Sequence, residues 1–402
     1  MSSQQPIRRL PLPEFIAMMA LVSAVVAFSI DSMLPALPDM AAAMTPDDVN
    51  RAQLILSAFM AGMGLGTFFA GPLSDAIGRK RTLTIGFTIY ALAALGAIFT
   101  DTLNQMLVLR FIMGFGAAAP RIATMALVRD LYQGREMARL TSFVAMVFIL
   151  IPAIAPMLGA QVIALFGWHG VFGSFVVLAL IGGLWVNIRQ AETLLPQNRR
   201  PMKLRAMISG LFEVLSNTQV VLITIVLALG FGQMFTLLST AQQLFDTTFG
   251  KGDSFPYWFG GIALCAGTAN LLNAKLVLRL GMRRIARAAY AIQTVISTIM
   301  VILFVGDLIP EALQFPAVIF WATSVFAMAG VTFGNLNALA LQKMGHIAGT
   351  TASVVSAFST FGAVAIAAPV GLLYDGTPRP MMVATLLCSA LAFTLMRWIK
   401  EN

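Results

Sequence analysis

Stretches of about twenty apolar residues recur along this chain, from "FIAMMALVSAVVAFSI" near its start to "MMVATLLCSALAFTL" near its end. A helix needs about 20 such residues, rising about 1.5 Å each, to cross a hydrocarbon core of about 30 Å. That ruler predicts twelve spans, near 14–38, 52–74, 80–100, 105–128, 137–165, 168–188, 217–241, 255–277, 284–305, 316–341, 348–373 and 380–399. Only "FGWHG" divides the fifth from the sixth. The first span lacks the short core and cleavage site of a signal peptide, so it is expected to stay on the mature protein.

Composition agrees. The chain is 58% hydrophobic and only 11% charged, far from the roughly one-quarter charged make-up of a soluble domain. The expected fold class is an all-α integral membrane protein whose main partner is the lipid bilayer.

The net charge of +9 would suggest nucleic acid in a soluble chain. Here it is lopsided across the membrane. Arg8, Arg9, Arg79, Lys80, Arg81, Arg129, Arg135, Arg139, the run from Arg189 to Arg205, the run from Arg279 to Arg287, Lys343, Arg397 and Lys400 fall on one side. Arg51, Lys251 and Arg379 fall on the other. The positive-inside rule makes the first side cytoplasmic, with both termini, and accounts for the charge without a polyanionic partner. Cys265 and Cys388 lie inside spans and read as small buried apolar groups.

"RQAETLLPQNRRPMKLRAMISGLFEVLSN" is the longest polar stretch. It reads as a cytoplasmic linker over 189–216, dividing a six-helix bundle at 1–188 from another at 217–402, the build of a transporter whose halves rock about a central site. The link after the second span, "SDAIGRKR", has its counterpart in "LRLGMRR" after the eighth, where Gly281 matches Gly78 and Leu278 replaces Asp75.

The stretch "AGPLSDAIGRKRTL" stands between two apolar spans. Gly71 and Pro72 end a helix tightly, Gly78 permits a positive φ, and Arg79, Lys80 and Arg81 pin the turn to the basic side. Asp75 can pair with arginines or a helix terminus as a conformational latch. In this ordered form the stretch resembles the signature of the major facilitator superfamily. Asp31 followed by Leu34, Pro35 and Pro38 is similar to the first-helix motif of twelve-helix drug/proton antiporters, and Arg110 in "LVLRFIMGFGAA" to their fourth-helix arginine motif. Pro152, Pro156 and Gly159 in "FILIPAIAPMLGAQV" resemble the fifth-helix antiporter motif, with Ala155 where a glycine is usual. "GNLNALALQKMGHIAGTTASVVSAFS" is similar to the Bcr/CflA drug-resistance branch. The resemblance implies two six-helix bundles and export of small compounds in a bacterial inner membrane.

Charges inside spans each cost at least about 2.5–3.5 kcal/mol at a helix centre and so need a reason. Asp31, Arg110, Arg121 and Lys275 are such residues, the last placed to snorkel. Asp31 and Arg110 come to similar depths, so they are expected to pair across the first and fourth helices. Arg121 follows Arg110 by eleven residues, about three turns, and projects from the same face. Asp31 has the property a proton carrier needs, an acid whose affinity changes with conformation and bound substrate. A structural pair is the alternative. Arg110 would tune it, since guanidinium stays protonated.

The second half offers Gln233, Met234, Asn270 and Asn335 as substrate-binding candidates, with Phe235, Gln242, Trp258, Asn273 and Asn337 nearby. For each amide, interhelical bonding is the competing role. Glycines of the second and fourth spans permit close helix packing or sliding. His169 and His346 sit at loop ends and read as surface residues.

No paired carboxylates, His/Cys ligand spacing or phosphate loop supports an enzyme, a metal site or ATP-driven pumping. The expectation is a proton-coupled antiporter, monomeric and without cofactor, exporting small toxic or antibiotic compounds and using the proton gradient. A proton symporter or uniporter importing an organic anion or nutrient, with Arg121 as anion ligand, is the alternative.

Overall fold

A computed structural model describes residues 10–400, except for the side chains of 134, 135, 138, 139, 141, 142 and 144–149. Arg8 and Arg9, and the side chains of Arg135 and Arg139, lie outside the described residues. The secondary structure among the described residues is helical, without strands. Six helices come first: α1 (Leu12–Asp31), α2 (Leu54–Ile77), α3 (Arg79–Ala97), α4 (Leu103–Leu131), and α5 and α6, which form the segment Gly134–Arg189. A straight helix of 56 residues would be about 84 Å long. The chain instead turns at Gly167, with φ 67° and ψ −178°, so α5 covers 134–166 and α6 covers 168–189. Glycine is needed there because a Cβ disfavours this backbone.

Then follow α7 (Leu204–Ser216), α8 (Thr218–Gln243), α9 (Phe255–Leu280), α10 (Met282–Val305), α11 (Glu311–Lys343), α12 (Ala348–Leu372) and α13 (Arg379–Leu395). The linker is thus partly helical. α7 packs on α12 through Gly210 against Thr350, and Glu213 pairs with His346 at 2.6 Å. Among the described residues, nine helical stretches meet both length and hydropathy requirements for crossing a membrane. The others fall short for visible reasons: α3 opens with Arg-Lys-Arg, α13 has 17 residues, and α5 with α6 counts as one.

Helices α1–α6 pack mainly on one another, as do α8–α13, and the two sets meet along α2 against α12 and α5 against α9. Close backbone approach makes the first set dense. A Cβ at Gly62 would lie 1.9 Å from the Phe111 carbonyl oxygen, and one at Gly114 would lie 1.9 Å from that of Phe59. Any side chain at either position forces α2 and α4 apart.

The first span is not one helix. α1 ends at Asp31, and the chain continues through a 3-10 turn at Leu34–Ala36 into Leu37–Met44. Pro35 and Pro38 lack the N–H groups that would continue the α1 ladder. Cys265, read from sequence as buried, is exposed on α9, whereas Cys388 is buried.

Candidate functional site

The break in α1 sets the site. Asp31 is its last residue and is 4% exposed. α5 crosses directly after it, where a Cβ on Gly159 would lie 2.0 Å from the Ser32 carbonyl oxygen. Gly159 therefore brings α5 onto the break, and Ala155 and Pro156 are buried one turn away.

The predicted Asp31–Arg110 pair does not form. Among the described residues no ion pair includes either group. Arg110, fully buried, donates from Nη2 to the Ser29 carbonyl (3.2 Å) and from Nε to the Ile55 carbonyl (3.5 Å). Its guanidinium also lies 4.4 Å from the centroid of the Phe59 ring. Depth was read correctly, since Arg110 meets α1 two residues before Asp31. Two residues turn a helix by about 200°, however, so the carboxylate points away from the carbonyl that the arginine takes. Arg110 thus ties α1, α2 and α4 together. Beside it, Ser29 and Tyr90 share a hydrogen bond between their hydroxyls that adds α3.

Asp31 has no hydrogen-bond or ionic partner among the described residues. Arg121 is half-buried in α4 and likewise has none.

In the second set, Asn335 donates to Asn273 Oδ1 (2.8 Å) and to the Val331 carbonyl (2.9 Å), joining α11 to α9. Asn270 packs on Gly330 of the same helix pair. Gln233 donates to the Leu229 carbonyl of its own helix, and its Oε1 is buried without a partner. Met234 is partly buried. Two of the predicted amides therefore stand at the α9–α11 contact, while Gln233 keeps a free acceptor in α8.

At the basic end, Gly78 has φ 108° and Gly281 has φ 82°, so the two matched links share a turn. Arg79 joins Asp75 at 2.5 Å and Asp130 at 3.0 Å. Glu192, which the sequence reading passed over, accepts from the backbone N–H groups of Arg79 (2.8 Å) and Lys80 (3.1 Å). Its carboxylate caps the N-terminus of α3, where unpaired N–H groups favour an anion. A Cβ on Gly78 would be 2.2 Å from Glu192 Oε2, so glycine is required for contact as well as for φ. This network ties α2, α3 and α4 to the linker. Gly71 lies apart from it, facing Ser353 of α12, and Arg81 is exposed.

The opposite end carries a polar clasp between the two sets. Gln53 Nε2 donates to Gln243 Oε1 (2.6 Å), and Gln243 Nε2 to Asn50 Oδ1 (2.8 Å). Asn50 donates on to the Tyr374 carbonyl (2.8 Å). α5 and α9 touch where a Cβ on Gly260 would lie 2.7 Å from the Ala153 carbonyl oxygen. Leu264, Leu271, Lys275 and Leu278 follow Gly260 at helical spacing and are exposed. No feature of the sequence alone picked out the clasp, because its residues lie at span ends, where polar side chains are ordinary.

Cross-linking Gln53→Cys to Gln243→Cys, in a Cys265→Ser/Cys388→Ser background, is expected to cut transport at least about tenfold, with recovery on cleaving the linker. Full transport by the cross-linked protein would show that the clasp need not open.

Two helical sets joined by a linker, with charges at membrane depth that have no partner among the described residues, are the build of a secondary transporter. The chain belongs to the Major Facilitator Superfamily, whose family model matches residues 19–369. It is 26% identical to a bicyclomycin resistance protein homolog of Haemophilus influenzae, covering 94% of this chain and 95% of that one. It is 27% identical to a chloramphenicol resistance protein of Pseudomonas aeruginosa, covering 86% and 87%. A crystal structure of a D-xylose-proton symporter shares the fold, with a TM-score of 0.75 at 14% identity over 96% of this chain and 98% of that one.

Proposed function

We propose that this protein is a proton-coupled exporter of small toxic or antibiotic compounds, a monomer working by alternating access in a bacterial inner membrane. The basic end and both termini face the cytoplasm, consistent with the charge asymmetry. The halves 1–188 and 217–402 rock against each other, joined by 189–216.

The observation that carries the reading is Asp31: a carboxylate in a span, at a helix break, beside the Gly159 crossing and without a partner among the described residues. Such a group is charged or neutral according to whether a proton or a substrate is present, so it can couple the two. Substrate enters from the cytoplasm between the two helical sets while Asp31 gives up its proton to the same side. The basic end then closes, the clasp opens, and the outer proton pool reprotonates Asp31. The relatives named for resistance to bicyclomycin and chloramphenicol support export as the direction.

Inverted membrane vesicles test the direction. With an acidic lumen, a chloramphenicol-like compound is expected to accumulate inside and to leave when a protonophore is added. Expulsion from such vesicles would instead support the second reading, import of an organic anion, which the unpaired Arg121 favours.

A further inference from the structure

Arg121 is a cation without a counter-charge among the described residues. α4 shows its faces through its contacts: Phe111 and Gly114 meet α2, Gly116 and Ala119 meet Gly86 of α3, and Arg110 reaches the Ser29 carbonyl of α1. Eleven residues turn a helix to within about 20° of the starting direction. Arg121 therefore projects on the α1 side, three turns closer to the basic end than Arg110. From there it is ten residues, about 15 Å, to the end of α4 at Leu131. That is a long reach for snorkelling, so the half-buried guanidinium is held at membrane depth and not at the membrane surface.

No carboxylate is at hand to neutralise it. Glu14 and Asp31 are the acids within the predicted spans; Glu14 pairs with Arg189, and no ion pair joins either acid to Arg121 among the described residues. The undescribed side chains of α5 between 134 and 149 include no acid. Arg110 is held by two backbone carbonyls and an aromatic face, with only Nη1 left without a partner, whereas Arg121 has no such contacts among the described residues. Its neighbours in "FGAAAPRIATMAL" are small and apolar. A cation kept at membrane depth without a partner, on a helix face otherwise apolar, is built to receive an anion on an apolar body.

We propose that Arg121 is the substrate-recognition cation of this transporter, and that its preferred substrates are amphiphilic organic acids whose carboxylate takes the guanidinium fork. The inference deepens the export reading but depends on it only for the direction of movement.

The test compares naphthoate with naphthamide, two ligands of the same shape that differ in charge, for binding to the detergent-purified full chain. The wild type is expected to bind the acid at least about tenfold more tightly, as one charge-assisted hydrogen bond implies. Arg121→Gln is expected to bring that ratio near one, and Arg121→Lys to retain part of it; a monodisperse elution profile verifies folding of each. A wild-type ratio near one, or an unchanged ratio in Arg121→Gln, overturns the proposal. Naphthoate moving in the same direction as protons in proteoliposomes would overturn export while leaving Arg121 as the anion ligand.

Discussion

Asp31→Asn is expected to abolish proton-driven transport and to leave the protein folded and able to exchange substrate down its own gradient. Asparagine has nearly the shape of aspartate and stays neutral, so packing at the α1 break and the Gly159 crossing is kept while the proton site is removed. Because Asp31 forms no ion pair among the described residues, its neutralisation strands no buried cation. A structural carboxylate would behave differently, since breaking a buried pair costs about 3–5 kcal/mol. The measurement is gradient-driven transport beside substrate counterflow in the same vesicles. Retained gradient-driven transport would end the proton-carrier role.

Arg110→Ala is expected to act on stability first. The side chain is fully buried, bonds two carbonyls on different helices and stacks on Phe59. Losing charge-assisted bonds of this kind costs on the order of 3 kcal/mol, and the cavity left behind adds to it. Arg110→Lys is expected to recover only part, because an ammonium is a point charge and cannot span both carbonyls over a ring. Thermal unfolding in detergent reads this as a clear fall in midpoint for both variants, larger for alanine. An unchanged midpoint would return Arg110 to a purely functional role.

The contrast between these two residues shows where the sequence is legible. Twelve spans follow from hydropathy, because lipid forces backbone hydrogen bonds to close within each helix. The φ of Gly78 and its match in Gly281 follow from local rules for turns. The Gly167 turn is legible too, as the only break between two apolar runs. Contacts between distant segments are not. Depth along a helix put Arg110 beside α1, but rotation about the axis sent it to a carbonyl and not to Asp31. Glu192 caps α3 from 113 residues away, and the Gln53–Gln243 contact joins residues 190 apart. Neither leaves a local signature, since a polar residue at a span end is compatible with plain solvation. The amides divide in the same way: Asn335 finds Asn273, while Gln233 keeps a free acceptor, and composition treats the two alike.

Proton movement tests the coupling most directly. Purified protein is sealed into liposomes with a pH dye inside, and amphenicol-like, cationic and anionic compounds are added in turn. Protons are expected to move opposite to the transported compound, and Asp31→Asn is expected to remove that movement. Protons moving with an anionic compound, or transport without proton movement, would contradict antiport.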